Sequence, residues 1–183
     1  MFETTIIILL VLAAIVVAFV AIVATRPAEF RVVRSATMSA PPADVFAQVN
    51  DFHKWDAWSP WAKLDPAMKT THEGPPAGTA AIYSWDANKQ VGAGRMTITE
   101  SKPSDLVRIK LEFFRPFACT NDVEFTFKPE GAQTAVTWLM IGKNTFMSKA
   151  VCMFMNMDKM VGGDFEKGLA QLKTVSENAA PKK

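Results

Sequence analysis

The pattern of apolar and polar residues begins with one long apolar run. Residues 6–24 are nineteen consecutive positions without Gly, Pro or a charged side chain. At about 1.5 Å per helical residue, such a run nearly crosses the roughly 30 Å hydrocarbon layer of a bilayer. A buried strand of this length would far exceed the usual range. We therefore predict an N-terminal transmembrane anchor over residues 1–26.

After this run, alternation of apolar and polar residues predicts seven strands joined by short turns. Around residues 106–114, for example, Val107 and Ile109 are expected on one face of a strand and Arg108 and Lys110 on the other. One buried face and one wet face are typical of an antiparallel meander. The predicted strands are 30–38, 68–73, 78–86, 92–101, 106–114, 119–129 and 134–142.

Helical patterns interrupt and close this series of strands. Pro42 begins a short amphipathic helix that ends near Asn50. From about Met147 to Val175, apolar residues recur at steps of three and four, which predicts a long helix. Its Gly162-Gly163 pair costs about 1 kcal/mol per glycine and indicates a close approach to a strand or a bend. We predict one domain over residues 27–175 and a flexible tail over 176–183.

The segment between the first helix and the second strand concentrates aromatic residues. It contains three of the chain's five tryptophans, at 55, 58 and 61. Phe52, Trp55 and Trp58 are spaced by three, which places them on one face of a short helix before Pro60 ends it. This much aromatic surface in one place either locks a core or forms the wall of a cavity.

Composition and charge exclude several classes of protein. A net charge of +2 with both signs interleaved leaves no basic stripe for nucleic acid. Cys119 and Cys152 are expected to be small buried hydrophobes in a reducing compartment, although one bridge between them stays open. His53 and His72 lie in different predicted elements without a cysteine partner, so we expect no metal site. No phosphate-binding glycine loop is present, and no cofactor is expected.

Charges flanking the apolar run predict its orientation. Glu3 precedes the run, whereas Arg26, Arg31 and Arg34 follow it, and positive residues stay on the cytoplasmic side. We expect a single-pass protein of a bacterial inner membrane with a cytoplasmic globular domain. The alternative is a cleaved signal peptide, which the missing basic n-region, the length of the run and the Arg26-Pro27 context disfavour.

Several local stretches carry a family resemblance. They are residues 40–46, 55–61, 64–66, 83–85, 92–96 and 157–169. Together with the element order, they resemble the polyketide cyclase/dehydrase-like branch of the START-like (SRPBCC) superfamily. The resemblance implies an α+β helix-grip fold: a seven-stranded curved antiparallel sheet with two short helices and a long C-terminal helix. In that fold the long helix and the sheet enclose an elongated pocket for an apolar ligand.

The predicted pocket wall consists of aromatic and methionine side chains. The candidates are Trp55, Trp58, Tyr83, Trp85, Met96, Phe113, Phe125, Trp138, Met140, Met153 and Met157. The alternative is that these residues pack only against one another. A buried tyrosine hydroxyl needs a partner, and we expect Tyr83 to bond a neighbouring backbone group rather than a ligand carbonyl. Asp51 and Asp56 have the positions of caps or turn residues, and we predict no catalytic residue.

Three functions remain open at this level. The first is a membrane-anchored domain that holds an apolar molecule such as a lipid, a quinone or a polyketide-like compound. The second is an accessory subunit of a membrane protein complex, with a filled interior and no ligand. The third is an enzyme of the cyclase or dehydratase type, which requires a polar catalytic group inside the pocket.

Overall fold

The computed structural model describes residues 2–152 and 157–179. Its strands form one seven-stranded sheet in the order β1-β7-β6-β5-β4-β3-β2, and the pairs from β2 to β7 are antiparallel. The elements in chain order are α1 (Phe2–Ala24), β1 (Glu29–Met38), α2 (Pro42–Val49), a 3-10 helix (Phe52–Ala57), β2 (Lys69–Glu73), β3 (Ile82–Asp86), β4 (Ala93–Lys102), β5 (Leu106–Arg115), β6 (Cys119–Glu130), β7 (Gln133–Lys143), α3 (Phe146–Cys152) and α4 (Met157–Ala179). The predicted α+β architecture is confirmed.

The described residues form two compact units. The first unit contains α1 and α3, which contact each other. Within it, the backbone N–H of Asn144 donates to the carbonyl of Ala28 at 2.8 Å, and the Asn144 side chain donates to Pro27 O at 3.2 Å. Within the described part of the chain, α1 is a helix long and apolar enough to cross a membrane. A membrane span and a signal sequence both meet this criterion.

The second unit comprises residues 31–142 and α4. β2 is exposed along its whole length, so it lacks the predicted buried face. The alternation is seen most clearly in β6 and β7. β3 is shorter than expected. It begins at Ile82 rather than at residue 78. Gly78 and Ala80 have φ values of 81° and 72°, which are incompatible with a strand. The chain therefore turns before β3, and the Ala80 N–H donates to Ile98 O at 2.8 Å.

The tryptophan segment forms the expected short helix. It is a 3-10 helix, in which residues three apart lie on one side. Phe52, Trp55 and Trp58 are accordingly all buried. Asp51 caps the helix, as predicted, by accepting a hydrogen bond from the His53 N–H at 3.0 Å.

The predicted long helix is described in two pieces, α3 and α4, and residues 153–156 lie outside the described residues. In α4 the predicted apolar stripe is buried at Phe165, Leu169 and Leu172. A Cβ at Gly162 would lie 2.1 Å from the guanidinium of Arg34 in β1, so the close approach is confirmed there. Gly163 has no such neighbour. α4 continues to Ala179, into the predicted tail.

The prediction for Cys119 was wrong. This residue is a free, exposed thiol rather than a buried hydrophobe. It begins β6 directly after the β5–β6 turn, where the sheet offers little cover. The side chain of Cys152 lies outside the described side chains.

Candidate functional site

The strand register brings together the pocket residues predicted on the sheet. Cross-strand partners share a face, and Tyr83, Met96 and Leu111 are successive partners across three strands. We call this the inner face, because Phe165 of α4 stacks on Trp138 there. All the predicted sheet residues lie on it: Tyr83, Trp85, Met96, Phe113, Phe125, Trp138 and Met140.

One half of the inner face is filled by an aromatic cluster, which consists of Trp55, Trp58, Phe125, Trp138 and Phe165. Ring centroids are 4.0 Å apart for Trp138 and Phe165, 4.7 Å for Phe125 and Trp138, and 4.5 Å for Trp55 and Trp58. All five side chains are buried. At these separations the rings are in contact, and no ligand-sized space remains between them.

Backbone hydrogen bonds fix the two tryptophans that the 3-10 helix supplies to this cluster. The Trp55 indole N–H donates to Val49 O at 2.9 Å, and the Trp58 indole N–H donates to Gln48 O at 3.2 Å. Both acceptors lie in α2. The ring positions are therefore set by α2 as well as by packing.

Gly168 allows α4 to close on the aromatic cluster. A Cβ at this position would lie 2.8 Å from the Trp138 ring and 3.2 Å from Cδ of Pro60. The stacked Trp138 ring has no free direction in which to move. A glycine is therefore required where the helix, the sheet and the tryptophan segment meet.

The other half of the inner face is more open. We call it the open half and define it by Tyr83, Trp85, Met96 and Phe113. The side chains other than Trp85 are only half-buried. Ring centroids here are 6.1 Å apart for Tyr83 and Trp85 and 5.6 Å apart for Trp85 and Phe113. Apolar and aromatic surface is thus partly exposed here.

Gly94 positions the central ring of the open half. A Cβ at residue 94 would lie 2.5 Å from two carbon atoms of the Trp85 ring and 2.4 Å from the Glu112 carbonyl oxygen. The Trp85 indole therefore lies flat across β4 only because residue 94 carries no side chain.

Polar groups also face the open half. The indole N–H of Trp85 is buried and, like that of Trp138 in the aromatic cluster, has no hydrogen-bond partner among the described residues. Asn121 is buried on the same face, and its amide donates only a long hydrogen bond to Cys119 Sγ at 3.8 Å. The Tyr83 hydroxyl makes no hydrogen bond within the described part of the chain, contrary to our expectation. Burial, with the nearby charge of Asp56, raises the pKa of Tyr83 to about 12.

Asn121 was missed by the sequence analysis, although a signal was present. It has the same parity along β6 as the apolar residues Val123 and Phe125, which point inward. Alternate residues of a strand point to the same face of the sheet, so a polar residue among inward-facing apolar ones is predicted to be buried. Arg34 lies two residues after the inward-facing Val32 in β1, and its inward orientation was missed for the same reason.

Arg34 joins β1 to α4. Its guanidinium bonds Asp158 at 3.0 Å and Glu166 at 2.6 Å. The hydrogen bond from Arg34 holds the pKa of the Asp158 carboxyl below its usual range. The charge of Arg34 is therefore engaged within the domain, and the orientation prediction rests on Arg26 and Arg31.

Two cavities of about 240 and 250 Å³ lie at the surface of the sheet. The first lies beside Phe52 and His72, and the second lies on the outer face around Arg108. Neither is lined by a residue of the aromatic cluster or of the open half. A part in ligand binding therefore stays a prediction for all the described candidates: Trp55, Trp58, Tyr83, Trp85, Met96, Phe113, Phe125, Trp138 and Met140.

The two histidines meet, which no sequence pattern indicated. Their rings stack with centroids 4.1 Å apart, and Asp51 lies 3.0 Å from Nδ1 of His53. Across the described ranges, no group of three or more His, Cys, Asp or Glu side chains is arranged to hold a metal ion. Met153 lies outside the described residues, and the Met157 side chain is not described either.

Comparisons with known proteins agree with this geometry. The family described as polyketide cyclase / dehydrase and lipid transport matches residues 29–177. A search of curated proteins gave no match.

Solved structures with the same fold are distant in sequence. Protein MLL2253 from Mesorhizobium loti is 14% identical with a TM-score of 0.61, and the match covers 83% of this chain and 100% of that one. Protein CV1439 from Chromobacterium violaceum is 15% identical with a TM-score of 0.58, covering 86% and 100%. TTHA0849 from Thermus thermophilus is 16% identical with a TM-score of 0.59, covering 83% and 100%. Identities this low show the fold alone.

Proposed function

Because this chain belongs to the polyketide cyclase / dehydrase and lipid transport family, we propose that it is a membrane-anchored domain that binds an apolar small molecule at the open half of its inner face. A lipid, a quinone or a polyketide-like compound has the required chemistry. The observation that carries the proposal is the buried, unpartnered indole N–H of Trp85 beside Tyr83, Met96 and Phe113.

The unpartnered donor selects among apolar ligands. A buried donor without an acceptor costs about 1 to 3 kcal/mol, which a ligand carbonyl or hydroxyl oxygen would recover. Burial of about 300 Å² of apolar ligand surface contributes roughly 7 kcal/mol before the cost of association. The expected ligand is therefore an apolar body with an oxygen acceptor near the Trp85 ring.

The tether explains how such a ligand reaches the domain. Apolar molecules partition into the bilayer, and α1 would keep the domain beside that reservoir at a high effective concentration. Arg26 and Arg31 follow the span and are exposed, which supports a cytoplasmic domain at a bacterial inner membrane.

Two ligands of similar shape test the role of the indole. We propose calorimetry on the full chain in lipid nanodiscs, with empty nanodiscs as blank, using 2-methyl-1,4-naphthoquinone and 2-methylnaphthalene. Trp85→Phe keeps an aromatic ring but removes the N–H, so it should weaken quinone binding about fivefold, as expected for one hydrogen bond. Binding of the hydrocarbon should not change.

The matched control is Trp61→Phe, because Trp61 lies on the far side of the aromatic cluster from the open half. This substitution should leave the binding of both ligands unchanged. The proposal fails if the unaltered chain binds neither compound. The proposed role of the indole is refuted if Trp85→Phe weakens the binding of both compounds equally.

The filled aromatic cluster favours a second candidate, an accessory subunit of a membrane protein complex. A packed interior is what a subunit without a ligand requires. Purification of the full chain from native membranes in mild detergent separates the two. A stoichiometric partner together with no bound apolar compound supports the subunit, and a monomer that carries such a compound supports the binding domain.

An enzyme of the cyclase or dehydratase type needs a polar group inside the pocket. Tyr83 and Asn121 both face inward, so this condition is met. The ordinary pKa of a tyrosine already lies above neutral pH, and that of Tyr83 is raised further. Its hydroxyl therefore stays protonated, which suits a hydrogen-bond donor rather than a base. If Tyr83→Phe changes neither the mass nor the yield of compounds that co-purify with the chain, the enzyme hypothesis loses its support.

A further inference from the structure

The turn between β5 and β6 exposes two phenylalanines. Phe114 is 52% exposed and Phe117 is 76% exposed. Single exposed apolar residues are common, but two large aromatic side chains on one turn mark an interaction surface. We call residues 114–118 the hairpin tip.

The sheet topology places the hairpin tip at the end of the sheet where β1 begins. The order β1-β7-β6-β5 with antiparallel neighbours brings the start of β1 and the β5–β6 turn to the same end of the sheet. The two are separated by two to three strand spacings, about 10 to 14 Å. The β6–β7 turn, with the exposed residue Ala132, lies at the opposite end.

The connection between α1 and β1 is short. It consists of residues 25–28. Four residues reach at most about 14 Å when fully extended. The interfacial layer on each side of the hydrocarbon core is roughly 5 to 8 Å thick. If α1 spans a bilayer, the first residue of β1 therefore lies within about 14 Å of the end of the span.

The hairpin tip and the adjacent turn carry two basic side chains, one of which is paired with a carboxylate. Arg115 lies between the two phenylalanines and bonds Asp86, and Lys89 is exposed in the adjacent β3–β4 turn. Basic residues beside exposed aromatic ones are typical of segments that insert into the interface of anionic membranes.

We propose that the hairpin tip inserts Phe114 and Phe117 into the interfacial layer of the bilayer that α1 spans. The inference rests on the tether of the proposed function. Phe113 of the open half precedes the tip directly, so the same insertion would place the open half beside the hydrocarbon phase from which an apolar ligand comes. The hairpin tip would then be both a second membrane contact and the rim of the ligand site.

Photocrosslinking of the full chain tests this contact. The protein is reconstituted into vesicles of phosphatidylcholine and phosphatidylglycerol with p-benzoylphenylalanine at position 117, or at position 132 as the matched control. After irradiation, mass spectrometry measures lipid adducts. We expect at least about fivefold more adduct at 117 than at 132, because an interfacial side chain is surrounded by acyl chains. Equal yields at the two positions would overturn the inference, and so would adducts at 117 to protein alone, including a second copy.

Extraction of the same vesicles at alkaline pH separates this inference from the tether. A chain that stays in the vesicles but gives no excess of lipid adducts at 117 retains the tether and refutes the hairpin contact. A chain that is released and gives no such excess refutes both. The double variant Phe114→Ser with Phe117→Ser supplies a second readout. Proteolysis between residues 25 and 28 removes the span, and the vesicle binding that remains is measured. If the two phenylalanines insert, the double variant should lose at least about half of this binding.

Discussion

Replacement of Phe165 by alanine tests whether the aromatic cluster is a solid core. Phe165 is 2% exposed, and its ring stacks on Trp138 with centroids 4.0 Å apart and an interplanar angle of 9°. Truncation of a buried phenylalanine typically costs about 3 to 5 kcal/mol, because transfer energy is lost and a cavity remains. For a domain of this size, each kcal/mol lowers the melting temperature by roughly 2 to 4 °C. We therefore expect a fall of about 6 to 20 °C.

The assay is thermal unfolding of the full chain in detergent micelles, followed by near-ultraviolet circular dichroism. This signal reports the fixed environment of the tryptophan rings. The matched control is Met160→Ala on the same helix, because Met160 is 48% exposed. It should change stability by less than about 0.5 kcal/mol. Benzene should partly restore the melting temperature of Phe165→Ala by filling the cavity, since a ligand that binds only the folded state stabilises it.

A small effect would contradict the packed cluster. If the stability of Phe165→Ala lies within about 1 kcal/mol of that of Met160→Ala, the Phe165 ring is not held between the sheet and α4. The inner face would then have unfilled space in this half. The ligand site would in that case extend into the cluster, as the larger predicted pocket requires.

Three further predictions address other contacts. Gly94→Ala should displace the Trp85 ring, lower stability by about 1 to 3 kcal/mol through overpacking and weaken quinone binding; unchanged melting and calorimetry would show that the ring has room. Arg34 lowers the pKa of Asp158 in the folded state. The contribution of this carboxylate to stability is therefore present above about pH 4 and is lost as pH falls through its folded-state pKa. Between pH 6 and pH 3, the melting temperature of Asp158→Asn should therefore fall by less than that of the unaltered chain, and equal falls would refute this. Thr134→Val removes a buried hydroxyl that donates to a backbone carbonyl at 2.7 Å, and denaturant unfolding should show a loss of about 1 to 3 kcal/mol rather than none.

Much of the fold could be predicted because each strand has one wet face. Alternation in the region of β5 indicated which side chains point inward, and the antiparallel register then placed them together. The same reasoning failed at the start of β3, where residues with positive φ turn the chain before it pairs. Backbone conformation at Ala80 is set by its surroundings, and its side chain carries no signal for it.

The candidate site was less accessible to sequence reasoning. Parity could have identified Asn121 and Arg34 as inward-facing polar residues. The stacking of His53 on His72 could not have been found, because it joins two elements whose approach depends on the whole fold. The exposure of Phe117 was equally hidden, since a turn residue flanked by apolar neighbours has the same local pattern whether it is covered or not.

The sequence by itself determined the span-like helix, the seven strands, the face to which each side chain belongs and the family. These follow from local periodicity and from the length of an apolar run. Only the tertiary structure decided which inward side chains touch one another and which leave an open surface. That distinction depends on how closely α4 approaches the sheet, which Gly168 and the 4.0 Å stack of Phe165 on Trp138 set. Periodicity gives the direction of a side chain but not the distance to what lies opposite it.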